Sequence, residues 1–332
     1  MRAAVLFGPE DLRVEEVPDP EPESGAGDGV IVEVEAATTC GTDVKMWRHG
    51  HRVLPPYPCR FGHETAGVRI DTGERVLVSD SVACGVCVPC RAGRAQICQE
   101  PTWVLGGFAE RIMAPAGALH PIPDSLPPEA AAMAEPLAAA VHAVARGSDA
   151  GDVGILGGGA MGLMLTSLLI THGRNVTLAD PHPERRMQAE ALGARSTERL
   201  DDRHDVVFEA VGRTEAWRQA AAAAAPGGVV VLVGGCPSGT EVSFQTGPLH
   251  YEELEFRGSF HHSPTEVDQA LAALAASEAL WHTLRGPTIS LEELPNALRT
   301  PTRGPAKKWV VDPRPQSRDG TRGARRSGAS RR

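Results

Sequence analysis

From its first residues the chain alternates apolar and polar positions: AAVLF and then LRVEEV within Met1–Val17, and VIVEVEA over Val30–Ala36. A period of two marks half-buried strands, so strands are expected in both stretches. The Pro, Glu and Gly run Pro18–Gly29 between them is a loop. Glu64–Ile70 and Glu74–Val78 fit further short strands, with Gly and Pro punctuation around them. The first third of the chain therefore reads as short β-strands joined by functional loops.

After Pro128 the period changes. Glu129–Arg146 is Ala-rich and helical in period, with a restart at Pro136 and a stop at Gly147. Strand and helix patterns then alternate. Asp152–Leu156, Asn175–Ala179, Asp205–Glu209 and Gly228–Gly234 read as strands; Ala160–His172, Glu184–Leu192 and Thr214–Ala225 read as the helices between them. That order specifies right-handed βαβ crossovers and a parallel sheet. A strand over Leu254–Phe260 and a helix over Thr265–Ser277 follow. Ile289–Val311 is mixed and ends in the strand-like Lys308-Trp309-Val310-Val311.

At 332 residues the chain is long enough for two cores. Val153–Ile170 is an uncharged run of 18 residues, near the length of a membrane span, but it opens on clustered glycines. Net charge is −9 and unevenly spread. Residues 313–332 carry seven Arg and one Asp, so +6, which leaves −15 on the rest. An acidic body argues against a dedicated nucleic-acid binder, and the Arg-rich end reads as a disordered extension with no membrane role assigned. Met1–Phe7 lacks a basic stretch leading into a long apolar run. No secretory signal is therefore expected, and the cytoplasm is the expected compartment.

The cysteines sharpen the picture. Cys84, Cys87, Cys90 and Cys98 form C-x2-C-x2-C-x7-C, flanked by Gly, Pro, Arg and Gln rather than by core residues. Four thiolates so close in sequence can wrap one tetrahedral zinc and leave no open position. Disulfides are the competing reading, disfavoured in a reducing compartment. A second set comprises Cys40, in Cys40-Gly41-Thr42-Asp43, and His63-Glu64, after Gly62. One thiolate, one imidazole and one carboxylate supply three ligands and leave a fourth place for water or substrate. Alone, that pairing is weak; a nucleotide motif farther along gives it weight.

Gly157-Gly158-Gly159-Ala160-Met161-Gly162 reads G-x-G-x-x-G between a predicted strand and a predicted helix. Gly157 permits the tight turn, Gly159 lets a pyrophosphate approach the backbone, and Gly162 lets helix and strand pack. Phosphates would rest on the helix N-terminus beside Ala160 and Met161. Asp180, 18 residues beyond Gly162, is placed to bind the adenosine ribose hydroxyls and to repel a 2′-phosphate. NAD is therefore expected over NADP, tempered by Arg185 and Arg186. Val211 and Gly234, near the ends of later strands, complete the expected cofactor contacts.

With these motifs the chain resembles the zinc-containing medium-chain dehydrogenase/reductase family, and within it the sorbitol and threonine dehydrogenase branch. The likeness covers roughly residues 1–311 and runs through CGTD, GHE, the four-cysteine lobe, GGFAE at 106–110, EPLA at 135–138, GGGAMG and FEAVG at 208–212. The resemblance implies an α/β fold: a GroES-like β-rich catalytic domain plus a Rossmann doubly wound parallel-sheet domain. The expected division is 1–135 catalytic, with the zinc lobe at 84–98; 136–262 NAD-binding; 263–312 a return to the catalytic domain; and 313–332 the disordered basic tail. It further implies two zinc ions per chain, a homodimer or homotetramer, and an alcohol/ketone substrate.

By the same resemblance Cys40, His63 and Glu64 match catalytic zinc ligands. Glu135 matches a glutamate beside the zinc, and Thr42 the hydroxyl that starts a proton relay. His261 and His262 fall where sorbitol dehydrogenases place polar substrate-binding residues. Three departures stand out: Lys45 occupies the place of a relay His, the loop Val68–Glu74 is short, and the tail has no counterpart. Trp47 and His49, with the two histidines, suggest a polyol, an inositol derivative or an amino alcohol. An alcohol carbon releases hydride only once its oxygen carries negative charge, which an open zinc site can stabilise. A reductase of the same fold working toward the alcohol, a zinc-free quinone reductase, and a silent binding protein are the rival readings; the retained ligands oppose the last two.

Overall fold

The computed structural model describes residues 1–21, 29–149, 151–300 and 304–315. Most of the loop Pro18–Gly29 and of the 313–332 tail lies outside them. No described helix is long and apolar enough to cross a membrane. The uncharged run 153–170 divides into the strand Val153–Leu156, the glycine turn and the helix Ala160–Thr171.

The strand Gly29–Thr38 organises the first body of the protein. It pairs antiparallel with Glu64–Arg69, Arg111–Pro115 and Lys308–Val311, within a seven-stranded sheet that also holds Arg75–Val78, Leu119–Pro121 and Arg285–Ile289. Its alternation does what period two predicts. Val32 and Val34 are wholly buried against Val76, Val78, Val104 and Ile112, while Glu33 and Glu35 are only half-buried. Burying one such valine contributes about 1.5–3 kcal/mol. The register has a chemical consequence. Thr38 lies opposite Glu64 on one side and Val310 on the other, so a strand from the far end of the chain comes to lie one strand away from the GHE strand, across Thr38.

The second body is a six-stranded, all-parallel sheet. Its order is Arg195–Thr197, Val176–Ala179, Val153–Leu156, His204–Glu209, Ala224–Leu232, Glu255–Gly258. Strand order reverses beside Val153–Leu156, and such a switch point is where nucleotides bind in open α/β sheets. The edge strand Arg195–Thr197, three residues of Arg, Ser and Thr, carries no apolar signal by which the sequence could predict it.

The two bodies share a junction. The Ala-rich helix Ala134–Ala145 packs on the helices Ala160–Thr171 and Pro264–Ala276 and also touches the strand Glu64–Arg69. Small side chains permit that close approach; Ala134, Ala138, Ala140 and Ala143 are fully buried. The helices Pro264–Ala276 and Glu278–Leu284 join the same core through Val267, Leu271, Leu280 and Leu284. Glu135, in the first turn of the bridging helix, is thereby held between the two sheets.

Candidate active site

Cys40 ends the strand–loop after Thr38 and caps a helix, Gly41–His49. Its Sγ accepts from the Thr42 amide at 3.2 Å, and Asp43 Oδ2 accepts from the Cys40 amide at 2.8 Å. This reciprocal capping fixes the thiol at the helix start. His63 Nε2 lies 3.2 Å from Cys40 Sγ, and its Nδ1 lies 3.1 Å from the fully buried Asp43. Asp43 therefore orients the imidazole so that Nε2 faces the thiol, as carboxylates do behind metal-binding histidines. Sequence reasoning missed Asp43, although it stands in the same CGTD motif.

Donor atoms of His63, Glu64 and Glu135 also lie within 4.8 Å of one another, so His63 joins the thiol to two buried carboxylates. The two acids differ in how they are held. Glu64 Oε1 accepts from Lys308 Nζ at 2.7 Å, and Glu64 Oε2 accepts a short hydrogen bond from the Thr38 hydroxyl. Glu135 Oε1 instead faces His262 Nε2 at 3.4 Å. Burial opposes the Glu135 charge, but His262 and His63 overcome it and hold that carboxyl at about 2. Burial also disfavours the Lys308 ammonium; the Glu64 carboxylate outweighs it and raises the lysine above its usual range. Burial, then the Asp43 charge, pushes the Cys40 thiol up. A divalent cation reverses such an order, because a coordinated thiol is deprotonated outright. The thiol and imidazole stand close enough to share a zinc, with the buried carboxylates reached through His63, and such a donor set leaves an open position.

The four-cysteine lobe is similarly assembled. Sγ–Sγ separations are 3.3 Å for Cys87–Cys90, 3.9 Å for Cys87–Cys98 and 4.0 Å for Cys84–Cys90. A tetrahedron with metal–sulfur bonds of about 2.3 Å has edges of about 3.8 Å. The amides of Gln99 and Cys90 draw Cys87 down to about 6, whereas desolvation and the neighbouring sulfurs push Cys90 up to about 12. Crowded sulfurs cannot all ionise without a cation between them.

At the switch point, Gly157 turns the chain at φ 101°. A Cβ on Gly162 would meet the Gly157 carbonyl at 1.8 Å, so helix and turn touch backbone to backbone. The helix Ala160–Thr171 has no side chain capping its first amides, which leaves those donors for an anion. Asp180 ends the strand Val176–Ala179. Its Oδ2 accepts from the Gly158 amide at 2.7 Å and its Oδ1 from the His182 amide at 2.8 Å. Burial works against its charge, but the amides of His182 and Gly158 keep Asp180 below the usual carboxylate range. Arg185 Nη1 stands 3.5 Å from Asp180 Oδ2. Val211, with its side chain exposed, and Gly234 flank a neighbouring loop. Glu209 Oε1 accepts there from the Val211 and Gly212 amides, both at 2.8 Å.

Other expected residues fall differently. Thr42 is half-buried in the first turn after Cys40, and Lys45 is exposed one turn on. His261 and His262 are brought beside Glu135, together with Asp80, which the sequence did not flag. Trp47 is corrected by its surroundings: it is 3% exposed, in the apolar core of Met46, Phe61, Leu294 and Leu298, so it packs rather than reaching toward a substrate. His49 is exposed on the same helix.

The chain is similar to known proteins over most of its length. Residues 26–124 match the family model of the alcohol dehydrogenase GroES-like domain, and residues 160–276 that of the zinc-binding dehydrogenases. An uncharacterized zinc-type alcohol dehydrogenase-like protein of Haemophilus influenzae is 31% identical, over 89% of this chain and 93% of its own. The L-threonine 3-dehydrogenase of Chelativorans sp. is 31% identical, over 94% of this chain and 98% of its own. Among solved structures, a protein assigned as a zinc-binding dehydrogenase of Sinorhizobium meliloti 1021, bound to NADP, superposes with a TM-score of 0.84. It is 29% identical and covers 94% of this chain and 99% of its own.

Proposed function

The chain belongs to the zinc-type medium-chain alcohol dehydrogenase family, and from that premise we propose that it oxidises a secondary alcohol bearing further polar groups, using NAD. The observation that carries the reading is that His63 meets Cys40 on one side and the Glu64/Glu135 pair on the other, at the junction of the two sheets. The polar class of substrate rests on His261, His262 and Asp80 beside that meeting point, and on the 31% identical threonine dehydrogenase. A panel of polyols, inositols and amino alcohols, followed by NADH absorbance, tests it. Turnover confined to simple apolar alcohols would overturn the substrate class. In addition, we read the chain as a cytoplasmic homo-oligomer.

A zinc ion at Cys40 and His63 would supply Lewis acidity toward the alcohol oxygen, and the nicotinamide would accept the hydride. The protein's own part is positioning and proton handling. Asp43 fixes the His63 ring, and the Thr38–Glu64–Lys308 chain fixes one carboxylate. The Thr42 hydroxyl receives the alcohol proton, and Lys45, three residues on and therefore on the same helix face, stands where that path meets solvent.

Asp180 decides the cofactor. A carboxylate held charged repels a 2′-phosphate and accepts from ribose hydroxyls, and Arg185 is already turned toward Asp180. Hydrogen bonds to a charged group are worth about 1.5–3 kcal/mol. Asp180→Ser should therefore lower the NAD-to-NADP preference in kcat/KM by about 10–100-fold. A preference unchanged in the variant would remove Asp180 from that role.

We further propose that two zinc ions serve the two cysteine sites, the four-cysteine one being structural. Cys84→Ser should release one zinc and lower the thermal midpoint by more than about 5 °C, since metal binding in small zinc lobes is itself folding energy. A variant with wild-type zinc content and midpoint would contradict the assignment.

A further inference from the structure

Asp80, Glu135, His261 and His262 bring one donor atom each within 4.8 Å of one another, in a compartment next to the Cys40 site. The distances inside it are longer than those of the hydrogen-bonded His–carboxylate pairs. His262 Nε2 lies 3.4 Å from Glu135 Oε1 and 3.6 Å from Asp80 Oδ1, and His261 Nε2 lies 3.5 Å from the same Asp80 oxygen. Elsewhere, His120–Asp268, His142–Glu266 and His182–Asp180 close to 2.7, 2.8 and 2.9 Å, as hydrogen bonds do. Asp80 Oδ1 and His262 Nε2 are buried with no hydrogen-bond partner. Separations too long for a hydrogen bond but nearly equal are what ligands around one small ion show. With metal–nitrogen and metal–oxygen bonds of about 2.0–2.2 Å, the edge of a tetrahedron is about 3.4 Å.

Two further observations agree. His261 adopts φ 59°, a left-handed conformation costly for a side-chain-bearing residue. Adjacent residues in extended chain point to opposite sides; here the two imidazole rings lie side by side, with centroids 4.2 Å apart, and both reach Asp80. Burial, then the Glu135 charge, pushes the Asp80 carboxyl up. Two buried acids repel, and a divalent cation would answer both more fully than the histidines that already hold Glu135 charged.

We propose that Asp80, Glu135 and His262 form a further divalent-cation site, fitted to zinc, with His261 as an exchangeable fourth ligand. His261 has that freedom because its Nε2 also meets Ser81 Oγ at 2.7 Å. Glu135 is common to this site and to the His63–Glu64 group, so its carboxylate bridges the two. The site borders a cleft of ≈ 240 Å³ lined by Arg52, Ser81, Trp103, Phe260, His261 and His262. An ion there would take a second oxygen or nitrogen of a polar alcohol. That last role rests on the dehydrogenase reading above; the site itself does not.

The test counts metal. Wild type, His262→Gln and Asp80→Asn are loaded with zinc, freed of excess by dialysis and analysed for zinc per chain. The same substitutions are also made in a Cys40→Ser background, which lacks the catalytic ion, so that a fall there belongs to this site alone. The expected result is about three zinc per wild-type chain and about one fewer in each variant, in both backgrounds. Circular dichroism and the zinc retained by the four-cysteine lobe show that a variant has folded, and Asp80→Asn serves if His262→Gln has not. Equal zinc in the Cys40→Ser protein with and without the second substitution overturns the proposal. Equal zinc in wild type and Cys40→Ser overturns instead the catalytic assignment of Cys40, so the two failures are told apart.

Discussion

Replacing Lys308 by Met is expected to destabilise the protein by about 3–5 kcal/mol, among the largest effects of any single substitution outside the metal ligands. The lysine and Glu64 are 3% and 0% exposed and meet at 2.7 Å, with Thr38 on the other oxygen. Removing one partner leaves a buried charge unanswered, which costs far more than the net worth of the pair. The double variant Lys308→Met, Glu64→Gln removes both charges and should recover most of the stability. Its recovery separates a charge effect from lost packing. The sign with pH follows from the raised lysine. A group whose folded pKa exceeds its unfolded one contributes fully below the unfolded value of about 10.4 and loses that contribution as pH rises through the folded one. The lysine's contribution should hold at neutral pH and fade in strongly alkaline solution; on the acid side burial pushes the Glu64 carboxyl up against the pull of Lys308, so the pair is also lost as that carboxyl protonates. Urea unfolding of the zinc-loaded proteins measures it; a single variant within about 1 kcal/mol of wild type would show that the pair carries no weight.

That pair also shows where sequence reasoning runs out. The four cysteines and the glycine turn stand out in the sequence because each motif is local, its ligands or glycines lying within a few residues, whereas Cys40 and His63, 23 residues apart, drew weight only from the motifs around them. Lys308 was read only as part of a strand. Its partner is 244 residues away, and the contact depends on the register that sets Thr38 between Glu64 and Val310. Asp80 escaped notice for the same reason, since the histidines that face it come from beyond the parallel sheet. The parallel sheet itself was legible from the alternation of apolar strands and helices. The helix Gly41–His49 was not. It is nine residues long, rich in Thr, Asp, Lys, Arg and His, and capped by a cysteine rather than by the usual Ser, Thr, Asp or Asn. Trp47 was misjudged with it, because without the helix its inward face could not be seen.

Cys40→Ser should lower kcat/KM by about a thousandfold or more, because the metal contributes several kcal/mol of charge stabilisation in the reaction. Serine keeps the size and can still accept from the Thr42 amide, so the helix cap survives while the soft ligand is lost. Glu135→Ala makes the useful contrast. Glu135 bears on the metal region through His63 and His262 but is not tied to Lys308, so its removal should spare the fold. Loss of a carboxylate beside a metal site commonly costs about 10–100-fold, and that is the fall expected in turnover. Thermal midpoint, zinc content and NADH formation measured on both variants read out fold, metal and chemistry separately. The expected pattern is a retained midpoint in both, one zinc lost in each, the catalytic ion with Cys40 and the further ion with Glu135, and activity lost in both, more steeply in the Cys40 variant. Activity within about tenfold of wild type in Cys40→Ser would mean that the thiol is not a ligand, and full activity in Glu135→Ala would place that carboxylate outside the reaction.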